Sequence, residues 1–420
     1  MIYCGGKLLQ AVNAVQLYND SKTFVDRPMK EGRDGATLTQ GVRDKVSATH
    51  CELADWSPHP ESFDLILDED LRTFALKLND IWKNLCREMK QEVKNSPERF
   101  SLIYVPHPFI VPGGRFREFY YWDAYWILKG LLKSGMTDTA KNMILNFAYL
   151  IDNYGFVPNG GRVYYLRRSQ PPMFIPIVYD YYLATKDKDF VLDMLPLMEK
   201  EIQFWMDNRS VNITMDGVSF NMYQYRASST VPRPESYRQD VITAENATDD
   251  NEKLLLYQNI ASAAEAGWDF STRWFADKES LASVETTNIL PVDLNAFICY
   301  NLHILGNLHG EVGKFSTVLF SPSNCEVNCS LGNEQKSNTW ITEYIKFRGR
   351  FEKVFYVEEA KGWYDYNLRS KKHNTEFYAS MAAPLYTQCY DPLSTSKTDD
   401  LYNKLEEMGV FNFTGGIPTR

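Results

Sequence analysis

The sequence predicts an all-α fold built of helix pairs. Three observations carry this reading: apolar residues recur at spacings of three and four over long stretches, polar loops marked by Gly and Pro separate those stretches, and strand signals are few. Length alone would suggest two or three domains, but closed barrels often run long as one. No linker and no internal repeat appears, so a single domain over 1–420 is expected.

The elements follow in order. Over 71–89, Leu71, Phe74, Leu78, Ile81, Trp82, Leu85 and Met89 share one helical face. Residues 119–133 and 137–152 read as a helix pair parted at SGMTD. The stretch 187–207 repeats the period through Phe190, Leu195, Met198, Ile202 and Trp205. The stretch 251–270 is rich in the helix formers Ala, Leu, Glu and Gln. The stretch 291–308 opens on Pro and Asp, which suits a helix N-terminus. GRVYYL (161–166) and GVSFNMY (217–223) are short strand candidates. Residues 305–350 lack the period of their neighbours and read as a long excursion, a foreign insertion or mispredicted coding sequence.

Composition sets the class. At 44% hydrophobic and 24% charged the chain is globular, not disordered. The 14% aromatic share fits a large core by default, and also fits a groove that stacks on sugars or bases. A net charge of −9 with no Lys/Arg run excludes the basic footprint of a nucleic-acid binder. No apolar run is long enough to cross a bilayer, and the first residues show no basic segment followed by an apolar one, so no signal peptide is read. The seven cysteines, at 4, 51, 86, 299, 325, 329 and 389, form no C-x-x-C pair, and the histidines are dispersed, so no metal site is expected. Sequons at Asn19, Asn208, Asn212, Asn246, Asn328 and Asn412 lean toward a secretory route.

The loops carry the chemistry. Arg115, Asp123, Asn159, Arg168, Gln170, Arg233, Glu235 and Asp269 recur beside Phe116, Tyr120, Trp122, Tyr164, Tyr165 and Trp268. Arginines are rigid multi-donors, carboxylates and amides accept from hydroxyls, and ring faces suit the C–H face of a pyranose. That is carbohydrate-site chemistry. Taken singly, Asp123 reads as a surface charge, PGGR as a plain turn and Trp268 as core. Their joint occurrence in one order favours a site.

The stretch PGGRFREFYYWDAYW (112–126) resembles the first signature of the trehalases, glycoside hydrolase family 37: P-G-G-R-F-x-E-x-Y-x-W-D-x-Y. The segments IYCGGKLLQAVNAVQLYNDSKTFVDRP, GFVPNGGRVYYLRRSQPP, PRPESY (232–237), AGWDFSTRW (266–274) and PVDLNAF (291–297) resemble that family in its order. GWYDYN (362–367) and FYAS (377–380) resume the match. The resemblance implies an (α/α)6 toroid of six inner and six outer helices. It also implies hydrolysis of α,α-trehalose to two glucoses with inversion, which needs two carboxyl groups on opposite faces of the bond.

By resemblance the general acid is Asp269, kept protonated by burial beside Trp268 or by a nearby carboxylate. The sugar-binding positions are Arg115, Trp122, Asp123, Asn159, Arg168, Ser169, Gln170, Arg233, Glu235 and Gly267. A second signature, Q-W-D-x-P-x-x-W-x-P, and a glycine-rich segment followed by Glu and Tyr carry the family's general base. Neither occurs in these 420 residues. The chain is therefore expected to hold the acid without the base, and to leave apolar faces exposed where closing helices would pack.

The alternative is a trehalase-like sugar-binding chain without activity. An unrelated (α/α)6 glycosidase is opposed by the intact first signature. The expected partner is a small disaccharide and not a nucleic acid. The chain is expected to act as a monomer, without cofactor or metal. Localisation stays open: the resemblance and the sequons favour the cell surface or secretion.

Overall fold

The computed structural model describes residues 3–29, 48–245, 247–319, 326–391 and 395–418, without side chains for 312–319, 326–333 and 395. Its helices are α1 Lys7–Ala14, α2 Ser21–Val25, α3 Glu69–Leu85, α4 Gln91–Asn95, α5 Tyr121–Lys133, α6 Thr137–Tyr154, α7 Phe174–Thr185, α8 Lys188–Asn208, α9 Tyr237–Thr243, α10 Asp250–Glu265, α11 Val292–Leu319, α12 Glu326–Phe355, α13 Ala383–Thr387 and α14 Thr395–Glu407. Short strands lie between them: β1 Ala48–His50, β2 Cys86–Met89, β3 Phe109–Ile110, β4 Ser210–Met215 and β5 Val218–Tyr223, then pairs of residues from Ile289 to His373. The chain groups into two compact units, Met1–Lys186 with Ala227–Ala261, and Asp187–Arg226 with Ser262–Arg420.

In the first unit α5, α6 and α7 pack together. The inner face of α6 is Ala140, Met143, Ile144, Phe147 and Ile151, all buried, at the spacing an amphipathic helix requires. Burying each of its larger side chains contributes roughly 1.5–3 kcal/mol. Gly155 ends the helix in the left-handed region, at φ 83°. Phe147 meets the rings of Phe119 and Tyr121 edge-on at 6.1 and 5.5 Å, which ties the signature stretch to α6. The Tyr121 hydroxyl then accepts from Met173 N and Phe174 N, each at 2.8 Å, so it caps the start of α7.

The helix expected over 71–89 starts at Glu69, where Asp68 caps it through Leu71 N, and ends at Leu85. Residues 86–89 are instead the central strand of the sheet β1-β2-β3. The face marked by Leu71, Phe74, Leu78 and Ile81 is exposed. GRVYYL is not a strand: Val163–Tyr165 form a 3-10 turn, and Tyr164 and Tyr165 join a buried cluster with Tyr3, Leu9, Phe24 and Tyr120. GVSFNMY does contain a strand, β5, which forms an antiparallel hairpin with β4.

In the second unit α11 packs on α8, α12 and α13. The loss of helical character expected within 305–350 is not observed: the described residues there belong to α11 and α12. The reason is in the packing. A Cβ at Gly306 would lie 2.5 Å from Ile341 Cδ1, and one at Gly310 would lie 3.0 Å from Ser337 Oγ. Two glycines four residues apart let the helices approach closely, so the contact does not depend on the apolar stripe that periodicity detects.

Four cysteines pair as Cys51–Cys86 and Cys299–Cys389, and Cys4 is a free thiol. The side chains of Cys325 and Cys329 lie outside the described residues.

Candidate active site

Nine of the expected site residues lie in the first unit. The turn at Gly113 and Gly114, with φ of 103° and 59°, delivers Arg115 to the surface side of the signature. Arg115 does not point freely into solvent. Its Nε and Nη2 donate to the two Asp20 oxygens at 2.6 and 2.8 Å, and Nη2 also donates to the Glu235 carbonyl at 2.8 Å.

Arg168 Nη2 donates to Glu235 Oε1 at 2.5 Å, and its guanidinium lies 4.9 Å from the Tyr165 ring centroid. Arg233 grips Asp240 with Nε at 2.9 Å and Nη2 at 2.7 Å, while its own backbone N donates to the same carboxylate. Each of the three arginines is thus oriented by one carboxylate. Burial pushes the Glu235 carboxyl up, but the charges of Arg168 and Arg233 and the Arg168 hydrogen bond outweigh it and hold Glu235 below the usual glutamate range. Arg168 Nε and Glu235 Oε2 are buried without a protein partner.

The loop between α6 and α7 brings in the amides. Gln170 Oε1 accepts from Trp122 N at 2.9 Å, which supplies the cap that Tyr120 does not give to α5. Asn159 is buried, with its backbone N bonded to the Arg168 carbonyl and its carbonyl bonded to Tyr121 N. The Ser169 hydroxyl donates to the Val157 carbonyl at 2.7 Å, so it braces the loop. Trp122 and Asp123 are half-buried in the first turn of α5, where a carboxylate is favoured by the helix dipole.

Gly267 and Asp269 belong to the second unit, on the loop after α10. Gly267 turns the chain at φ 75°, a conformation that suits glycine. The expected burial of Asp269 beside Trp268 is not observed: Asp269 is exposed. The Trp268 ring is used elsewhere, 5.0 Å from the Arg273 guanidinium.

The structure also corrects the aromatic wall. Tyr120, Tyr164 and Tyr165 are buried core, with hydroxyls committed to Glu118, Asp26 and one another. Phe116 and Trp126 are exposed and Trp122 is half-buried. Asp20 and Asp240, which aim two of the arginines, were not foreseen. Asp20 lies 95 residues from Arg115, and no sequence spacing links them.

Glu118 was likewise missed as a hub. It is fully buried and bonded to Lys22, Arg162 and Tyr120. Burial raises its carboxyl, but Arg162 and Lys22 win and hold it low.

Among the described residues, no group of three or more His, Cys, Asp or Glu is placed to hold a metal, and no helix is long and apolar enough to cross a membrane.

The trehalase family profile matches residues 10–420. The trehalase of Apis mellifera is 40% identical over 449 aligned residues, which span 100% of this chain and 68% of that protein. The trehalase of Homo sapiens is 37% identical, with 100% and 72% covered. Among solved structures, the neutral trehalase of Saccharomyces cerevisiae superposes with a TM-score of 0.57 at 20% identity, over 78% of this chain and 63% of that one. This likeness shows the fold, the (α/α)6 toroid class that was expected.

Proposed function

The chain belongs to the trehalase family, and from that premise we propose that it hydrolyses α,α-trehalose to two glucose molecules, with inversion at one anomeric carbon. The observation that carries this reading is the set of three arginine–carboxylate pairs in the first unit, with Arg168 Nε and Glu235 Oε2 buried and unmet by protein. A sugar hydroxyl donates and accepts at once, so it suits a site that offers both an N–H and a carboxylate oxygen. An apolar ligand would leave both groups unsatisfied at a cost of about 1–3 kcal/mol each.

Arg115, Arg168 and Arg233 then orient the carboxylates and bind hydroxyls. Asp123 and Glu235 accept from hydroxyls, and Asn159 and Gln170 add amide groups. Trp122 offers a ring face. Asp269 is the general acid. It gives its proton to the glycosidic oxygen as the anomeric C–O bond breaks, and a water attacks the opposite face of that carbon. We name no residue for the group that takes the water's proton.

The setting is oxidising. Two disulfides persist in secreted or cell-surface proteins and rarely in cytosol. The sequon asparagines Asn19, Asn208, Asn212 and Asn412 are exposed, as glycan acceptors must be. Asn246 and the side chain of Asn328 lie outside the described residues.

The test is glucose release from trehalose by the folded chain beside Asp269→Asn. Release that the variant loses supports the reading. Sugar binding without release from either protein replaces it with the binding-only alternative.

A further inference from the structure

One buried ion cluster of the second unit has no part in the roles above. The Arg273 side chain is fully buried. Its Nη1 and Nη2 donate to the two Asp293 oxygens at 2.9 and 3.1 Å, and its Nε and Nη2 donate to the two Asp365 oxygens at 2.9 and 2.7 Å. The guanidinium lies near two indoles, 4.3 Å from the Trp274 ring centroid and 5.0 Å from that of Trp268.

The cluster ties two separate stretches to the loop that bears Asp269. Asp293 is in the first turn of α11 and Asp365 lies between short strands, where it also accepts from Val292 N at 2.9 Å. The loop is further closed on itself: the Trp268 carbonyl accepts from Ser271 N at 2.7 Å and from Trp274 Nε1 at 3.1 Å. The residue before Asp269 is therefore fixed through its carbonyl and through its ring, which meets Arg273.

Two carboxylates on one guanidinium is an expensive way to stabilise a core. Burying three charges costs several kcal/mol per ion before the attraction returns it, and apolar residues of similar volume often serve as well. What such a cluster supplies that apolar packing does not is direction. Four donor bonds to two carboxylates fix the plane of the guanidinium and hence the two rings near it.

We propose that Arg273 is a positioning residue: its clamp on Asp293 and Asp365 holds the Trp268–Asp269 stretch so that the Asp269 proton is presented in one direction. The inference rests on the reading of Asp269 as general acid. Arg273 touches no reacting atom. A misplaced acid transfers its proton poorly while hydroxyl recognition, carried by other residues, is kept. A displacement of about 1 Å is enough to cost on the order of 100-fold in rate.

The experiment compares the wild-type chain, Asp269→Asn, Arg273→Lys and Asp365→Asn on trehalose and on α-D-glucosyl fluoride, with circular dichroism to confirm folding. Fluoride departs with little need for an acid, so it bypasses Asp269. The expected result is a kcat on trehalose lowered about 100-fold in Arg273→Lys, with KM little changed and the fluoride far less affected. Asp365→Asn should show the same pattern and stands in if Arg273→Lys does not fold. Equal losses on both substrates, or no loss, overturn the positioning role alone. Turnover of trehalose by Asp269→Asn at the wild-type rate overturns the general-acid reading and the positioning role with it.

Discussion

Arg168 and Glu235 meet at 2.5 Å with both side chains buried, yet Arg168 Nε and Glu235 Oε2 find no protein partner. A structural ion pair would use those atoms, because buried polar groups are costly to leave unmet. On the proposed reading their capacity is reserved for a ligand. Replacing Glu235 with Gln in an Asp269→Asn background, which prevents turnover, should weaken trehalose binding by about 10- to 100-fold, the value of a hydrogen bond to a charged group. Titration calorimetry reads this directly. Unchanged affinity would remove Glu235 from the sugar site.

Acid should unfold the first unit through its depressed carboxylates. Glu118 and Glu235 sit below the usual glutamate range in the folded chain. Their unfolded counterparts titrate near about 4.3. The stability they contribute is therefore fully present above that value and is lost as pH falls through the lower folded pKa. Melting temperature followed from pH 7 to pH 3 should drop on the acid side. Glu118→Gln should melt lower at neutral pH and show a shallower acid slope. An unchanged slope would mean that the Lys22 and Arg162 contacts are not maintained in solution.

Two glycines of the α11–α12 pair should respond oppositely to alanine. At Gly306 a methyl group collides with Ile341, 2.5 Å from Cδ1 and 3.1 Å from the backbone N. Overpacking of that kind costs about 1–3 kcal/mol. At Gly349, within α12, nothing lies within 4 Å, so alanine adds only helix propensity, about 0.5–1 kcal/mol of stabilisation. Urea unfolding of both variants tests the pairing of the helices. Destabilisation at Gly349 or stabilisation at Gly306 would contradict it.

The Cys299–Cys389 bridge closes a span of 90 residues. Constraint of the unfolded chain by such a bridge is worth about 2–4 kcal/mol. The variant with Ser at 299 and 389 should melt lower than the parent under oxidising conditions, and the difference should vanish when both proteins are reduced. Equal melting of the two under oxidising conditions would mean the bridge does not form.

Helix positions were legible where an apolar stripe faces a core, as in α6 and α8, because burial writes the 3.6-residue period into the chain. It was not legible where contact is made by small residues, as at Gly306, or where aromatic residues in a GRVYYL-like run mimic a strand but pack as a turn. The candidate site could be read as residue types and order: the sequence offers Arg115, Arg168, Arg233 and Glu235, and in the structure Arg115 meets the Glu235 carbonyl, Arg168 the Glu235 carboxylate and Arg233 the Asp240 carboxylate. What could not be read was the support. Asp20, Asp240 and Glu118 act on residues far away in sequence or at spacings with no signature. Which rings face solvent and which face the core depends on chain packing that ring count does not encode.

One measurement tests the central claim most directly: proton NMR of trehalose with the folded chain during the first minutes, before glucose mutarotates. The account predicts α- and β-glucose appearing in equal amounts, since one ring keeps its configuration and the attacked one inverts. Appearance of α-glucose alone, or of no glucose, would contradict it.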